Sequence, residues 1–287
     1  MRRFPKLTVR SNNRPSEGGP KASHRASQSQ ESLLFAPALG LLVLLAFTVP
    51  PLTVGAAESG SEASDREAPV LFEIDFTNKG DGSTVEWLQR NKFELHHHAD
   101  DPRRIEFHHD DEKLNVIVKR PAFGLAIRPV EAPAARRLRL HWGVADFPEG
   151  ASYEHGVDNE AIMVYVFFGD ERLPSGEMFI PDSPYFIGFY LCPVGGDEVD
   201  EPYVGHHYDK IGRYICVDHP SEDEAVVSEV DLAAEFSSNF GLETMPPVSA
   251  ISIEVDTTDS KNDGHAAAFL ERLEFLGAED GPGEEAE

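Results

Sequence analysis

The chain has 287 residues, with 51 acidic against 25 basic residues and a formal net charge of −26. Seven of the basic and two of the acidic residues precede Ala57, so the remainder carries a net charge of −31. A surface so acidic repels nucleic acid and anionic membranes, and it favours cationic partners, divalent ions or solubility in a salty medium.

The first 57 residues read as an address rather than a fold. A basic lead (Arg2, Arg3, Lys6, Arg10, Arg14, Lys21, Arg25) precedes an apolar run, Leu33 to Val49, and a small-residue exit, PPLTVGAAESGSEAS. These are the parts of an export signal. Cleavage fits Val54-Gly55-Ala56 or Gly55-Ala56-Ala57, and retention as an N-terminal anchor is the alternative. The expected location is periplasmic or extracellular. Residues 58–68 read as a linker, 69–277 as one domain, and 278–287 as a disordered acidic tail.

The domain opens with a strand at Val70 to Phe76, and Asn78 to Gly82 carries turn chemistry. Val85 to Leu88 reads as a helical turn carrying Trp87. Lys92 to His98 and Arg104 to His109 flank ADDPR and are expected to form a hairpin. Further strands are expected at Leu114 to Lys119, Phe123 to Val130 and Arg137 to Val144. Ala161 to Phe168 (AIMVYVFF) is almost continuously apolar, the mark of a central strand buried on both faces. Tyr185 to Cys192 and Gly212 to Val217 are strands around an acidic loop, and Val226 to Val230 leads into a helix.

That helix, at about 230–240, rests on Leu232, Phe236 and Phe240 at i, i+4 and i+8, with Gly241 to take the left-handed C-terminal position. Ser228 and Asp231 offer a capping box. Ile251, Ile253 and Val255 then alternate with Ser252, Glu254 and Asp256, and a returning strand puts Phe269, Leu273 and Phe275 on one face, a buried hairpin. The expected fold is a single antiparallel β-sandwich of the jelly-roll kind with one short helix.

Two cysteines, Cys192 and Cys216, end adjacent strands. In an exported protein such a pair reads first as a disulfide, with two buried thiols as the alternative.

Three places can hold a ligand. Asp256, Asp259, Asn262 and Asp263 offer hard oxygens within eight residues, suited to a structural calcium ion, although an EF-hand glutamate is missing; a solvated turn is the plainer reading. His96 and His98 can meet His108 or His109 across the expected hairpin and bind a transition metal, against the plainer reading of a polar strand end. Trp142, Tyr185, Tyr190, Tyr203 and Tyr208 can line a sheet face or its rim and stack on sugar rings, unless they are core. Carboxylates are so common that no acid–base pair stands out, and the chain has no nucleophile elbow, P-loop or dinucleotide fingerprint. The reading that follows is a non-catalytic module for a carbohydrate or other cell-envelope ligand. A histidine-based metal-binding or structural envelope protein is the rival, and an envelope-polymer hydrolase comes third.

Two blocks carry a family resemblance. One is LHWGVADFPEGA followed by DNEAIMVYVFFG, Asp158 to Gly169; the other is ISIEVDTTDSKNDGHAAAF after the helix. In order and spacing they resemble the exported bacterial proteins of domain-of-unknown-function family 3047. The departures are Leu140 where a first Trp is usual, Thr258 and Asp259 where Asp and Asn are usual, and Arg272 where an acidic residue is common. The resemblance implies a galactose-binding-like β-sandwich and no particular reaction.

Overall fold

In a computed structural model of the chain, the structure describes residues 68–278 apart from 79, 111, 176–179 and 261–262. The export segment, almost all of the linker and the acidic tail lie outside the described residues. Among the described residues thirteen strands and two helices follow one another: β1 (Val70–Asp75), α1 (Thr84–Arg90), β2 (Glu94–His97), β3 (Ile105–Asp110), β4 (Lys113–Val118), β5 (Phe123–Ala132), β6 (Arg137–Asp146), β7 (Glu160–Leu173), β8 (Ser183–Leu191), β9 (Pro202–Val204), β10 (Gly212–Asp218), β11 (Ala225–Asp231), α2 (Leu232–Phe240), β12 (Val248–Asp256) and β13 (Ala266–Leu276). None of the described helices is long and apolar enough to cross a membrane.

The strands form a sandwich. One sheet runs β11-β6-β13-β4-β3, with β1 on the second half of β13. The other runs β2-β5-β12-β7-β8-β10-β9. Pairing is antiparallel except between β8 and β10, which run parallel because β9 and its loop carry the chain back between them. Leu138, Leu140, Trp142, Leu273 and Phe275 from one sheet meet Val164, Val166, Phe168, Ile251, Ile253 and Val255 from the other in a single apolar core.

Both helices are set by their caps. Asp231 caps α2 by accepting from the amides of Ala233 and Ala234, and Gly241 closes it at φ +67°. Ser228 is not part of that cap. It is buried on β11, where it accepts the Trp142 indole hydrogen and donates to Asp218. The helical turn around Trp87 is a full helix with a capping box between Ser83 and Glu86.

Two expected hairpins are absent. β2 pairs with β5 in the seven-stranded sheet, whereas β3 pairs with β4 in the other. Between them His97, at φ +55°, and a 3-10 turn at His98–Asp100 carry the chain across the sandwich. Likewise β12 and β13 are interior strands of opposite sheets, joined by nine residues rather than the two to five of a hairpin. Phe269 also departs from the expected face. A register shift between Leu270 and Arg272 sends it to the outer face of its sheet, where it is buried over Gly143 and under the Lys113 ammonium.

The disulfide between Cys192 and Cys216 is formed, with Cα atoms 5.9 Å apart, and it crosslinks β8 to β10. Replacing both cysteines with alanine is expected to cost about 3 kcal/mol by the loop-entropy argument. Thermal melts should show this as a drop of roughly 6–12 °C.

Candidate functional site

Strand alternation builds the site. On β12, Ile251, Ile253 and Val255 enter the sandwich core, so Ser252, Glu254 and Asp256 face the far side of the seven-stranded sheet. On β7, Met163, Tyr165 and Phe167 share that face. With Phe186, Tyr190 and Tyr214 they form a second apolar cluster, which Tyr153, Tyr203 and Tyr208 partly cover. Between these rings runs a groove of about 610 Å³. Phe123 and Leu125 line one side, Tyr165 and Phe167 the floor, and Phe186 and Tyr208 the other side.

Carboxylates sit at one end of the floor. Glu254 is 5 % exposed and Glu160 is 2 % exposed. The Tyr165 hydroxyl donates to Glu254 Oε1 at 2.7 Å, and the Tyr153 hydroxyl donates to Glu160 Oε2 at 2.5 Å. A register shift between Glu254 and Asp256 places Glu160 opposite Asp256. The Glu160 and Glu254 carboxyls lie in hydrogen-bonding contact, and two carboxyls can bond only by sharing a proton. Oε1 of Glu160 is buried with no protein donor facing it.

Burial disfavours charge here. Burial, then the Asp256 charge, push Glu254 up to about 8 against the opposing bonds from Tyr165 and Glu160. Burial, then the charges of Glu254 and Asp256, hold Glu160 far above the carboxylate range. Asp256 rises to about 6 because burial outweighs the bonds from Thr258, and Asp259 and Asp158 add to the rise. At neutral pH the pair Glu160–Glu254 is thus protonated while Asp256 is largely ionised.

Tyr153 is positioned by Asp197, which is 1 % exposed. That carboxylate accepts from the Ser152 hydroxyl at 2.6 Å, the Tyr153 amide at 2.9 Å, the Glu154 amide at 3.2 Å and the Tyr190 hydroxyl at 2.7 Å. Burial opposes its charge, but these bonds outweigh burial and hold it below its ordinary value.

The expected site residues fare unequally. Tyr208 lines the groove, its ring against Phe186 and its hydroxyl on the Pro181 carbonyl at 3.0 Å. Tyr203 stands at the edge, on β9, 5.9 Å from the Tyr153 ring. Tyr190 is on the right face but buried, as a support for Asp197. Tyr185 instead packs on Phe236 and Phe240 of α2. Trp142 is fully buried in the sandwich core, so it cannot touch a ligand.

The histidines do not converge. His96 lines the groove, His98 accepts from the Phe123 amide, and His108 lies in the opposite sheet. In the acidic turn, Asp256 bonds Thr258 and Asp263 bonds the His265 amide, while the Asp259 amide donates to Asn159. Asn262 lies outside the described residues. Among the described residues the one group with three potential metal-ligand atoms within 4.8 Å is Cys192, Cys216 and His219, and its two sulfurs are joined.

Tyr153, Glu160, Tyr165 and Glu254 were not singled out by sequence. Their signal was indirect. A β7 buried on both faces requires a cover over its far side, and the polar face of its neighbour β12 lies under the same cover.

No family model matches the chain. No curated protein matches it either. Among solved structures it is similar to the native family 12 xyloglucanase from Bacillus licheniformis, at 6 % identity and TM-score 0.35 over 72 % of this chain and 97 % of that one. It is similar to the catalytic domain of Humicola grisea Cel12A in complex with a soaked thio cellotetraose, at 10 % identity and TM-score 0.31 over 72 % and 96 %. It is also similar to the xyloglucanase domain of NopAA, a type three effector from Sinorhizobium fredii, at 11 % identity and TM-score 0.31 over 56 % and 81 %. Similarities of this size leave the site to be argued from its own chemistry.

Glu254 is held neutral in the folded chain at pH values where the unfolded chain ionises it. Its contribution to stability is therefore complete below about 4.5 and is lost as pH rises towards about 8. Chemical denaturation of wild type and Glu254→Gln at pH 5 and pH 8 checks this. The difference between them should shift in favour of the variant at pH 8, on the order of 1.4 kcal/mol for each pH unit crossed. A difference independent of pH would count against a neutral Glu254.

Proposed function

We propose that this is an exported β-sandwich protein that holds a carbohydrate chain in the groove on the far face of its seven-stranded sheet. The observation that carries this reading is an open channel with an aromatic floor and hydrogen-bonding groups at one end. Phe167 and Tyr208 are only half-buried, although both rings belong to the groove. Flat apolar faces beside acceptors match sugar rings, which present C–H faces and a hydroxyl perimeter. About 610 Å³ accommodates a few sugar units.

Charge narrows the ligand. Asp158, Asp182, Asp256 and Asp259 line the groove, and Arg172 is the one arginine or lysine that does so among the described residues. Anionic glycans are therefore disfavoured, and an uncharged one fits. The Cys192–Cys216 disulfide supports an oxidising compartment, in keeping with export. Retention of the N-terminal segment would anchor the same domain at a membrane.

Affinity electrophoresis through gels containing soluble starch, hydroxyethylcellulose, xylan or galactomannan tests the proposal. At least one polysaccharide should retard the protein. Phe167→Ala and Tyr208→Ala should each weaken that binding about tenfold, equivalent to about 1.4 kcal/mol. Trp142→Phe should leave it unchanged. Equal retardation of both groove variants and wild type would remove the groove as the binding site.

A further inference from the structure

Two carboxylates on the groove floor differ more in surroundings than in position. Glu254 and Asp256 are two residues apart on β12, and both line the groove. Along a strand this sets their Cα atoms about 6.6 Å apart on one face. Glu254 is enclosed, with Tyr165 on Oε1 and Glu160 behind it. Asp256 is only half-buried. The Thr258 amide and hydroxyl both bond its Oδ1, at 2.7 and 2.6 Å, while Oδ2 accepts no hydrogen bond among the described residues.

Beside them the hydrogen-bond network is incomplete. Apart from the carboxyl contact between Glu160 and Glu254, Oε1 of Glu160 and Nδ2 of Asn159 are buried without a hydrogen-bond partner, each in a residue 2 % exposed. Such atoms are rare in folded proteins. Here Glu160 touches Glu254 and stands opposite Asp256.

We infer that Glu254 and Asp256 are a general acid and a general base that hydrolyse a glycosidic bond of an uncharged polysaccharide lying in the groove. The inference rests on the groove being a glycan site. In the reaction the Glu254 proton passes to the glycosidic oxygen as the bond from that oxygen to the anomeric carbon breaks. A water molecule bonds to the anomeric carbon and gives its proton to Asp256. One water is consumed, and solvent returns a proton to Glu254 and removes one from Asp256. Glu160 is a positioning residue that holds the Glu254 carboxyl in place through their contact, while burial and the Asp256 charge keep Glu254 protonated. The separated proton affinities, about 8 and about 6, set one group as acid and the other as base near neutral pH.

The test pairs reducing-end release with affinity electrophoresis, using the purified chain and the same four polysaccharides. Wild type should release reducing ends from at least one of them, with a rate that peaks between about pH 6 and pH 8. Glu254→Gln and Asp256→Asn should each slow release ~100-fold or more while keeping the gel retardation. Thermal melts of both variants accompany the assay, and Asp256→Asn, at the more open position, carries the test if Glu254→Gln fails to fold. Retardation of wild type without release on any polysaccharide would overturn hydrolysis and leave glycan binding standing. Neither retardation nor release would overturn both. Release by either variant at the wild-type rate would overturn the assignment of the pair.

Discussion

The middle of the seven-stranded sheet is covered on both faces, with solvent reaching it only along the groove. The sandwich core covers one face of β7 and β12, and the rings of Tyr153, Tyr165 and Tyr214 cover the other. Any polar side chain on that second face must find its partners in a low-dielectric setting. Glu254 finds the Tyr165 hydroxyl, Glu160 finds the Tyr153 hydroxyl, and the two carboxyls meet each other. Two adjacent buried carboxylates cannot both ionise, so the network retains protons. The acidity of the site follows from how the sheet is covered.

The cover is itself held from the neighbouring strands. The disulfide ties β8 to β10 beside the loop that carries Asp197. His219, just past β10, bonds the Asp197 carbonyl at 2.6 Å, and the Asp197 carboxylate gathers the amides of Tyr153 and Glu154. Tyr153 then reaches Glu160, and Glu160 meets Glu254. A covalent link, a buried anion, a phenol and a shared proton thus form one continuous support. It runs across the sheet, from its β10 side to its central strand.

Local signals were legible in the sequence and partners were not. Leu232, Phe236 and Gly241 placed α2 because a helix face and its cap are set by neighbours a few residues away. The burial of β7 on both sides was legible because AIMVYVFF has no polar alternation. The hairpins failed for a different reason. Alternation says that two strands are amphipathic but not that they pair with each other, and β12 and β13 each serve their own sheet. Trp142 reads the same whether it faces a ligand or a core. Glu254 was hidden most completely. In ISIEVD it alternates with isoleucine and valine as a solvent-facing glutamate would, and only the rings contributed by distant strands distinguish it from one.

The same side-chain type therefore plays two opposite roles in this chain. Most of the described carboxylates are exposed or half-buried, and the acidic residues as a whole set the large formal negative charge. The few beneath the aromatic cover are defined by what burial does to them. The two populations are not independent, because Asp158 and Asp259 at the groove add to the upward push on Asp256. An uncharged ligand settling over these residues would displace water without neutralising them, which strengthens every charge–charge term inside the groove. Proton affinities at the floor would then rise with occupancy. The groove would hold its protons most firmly when it is filled.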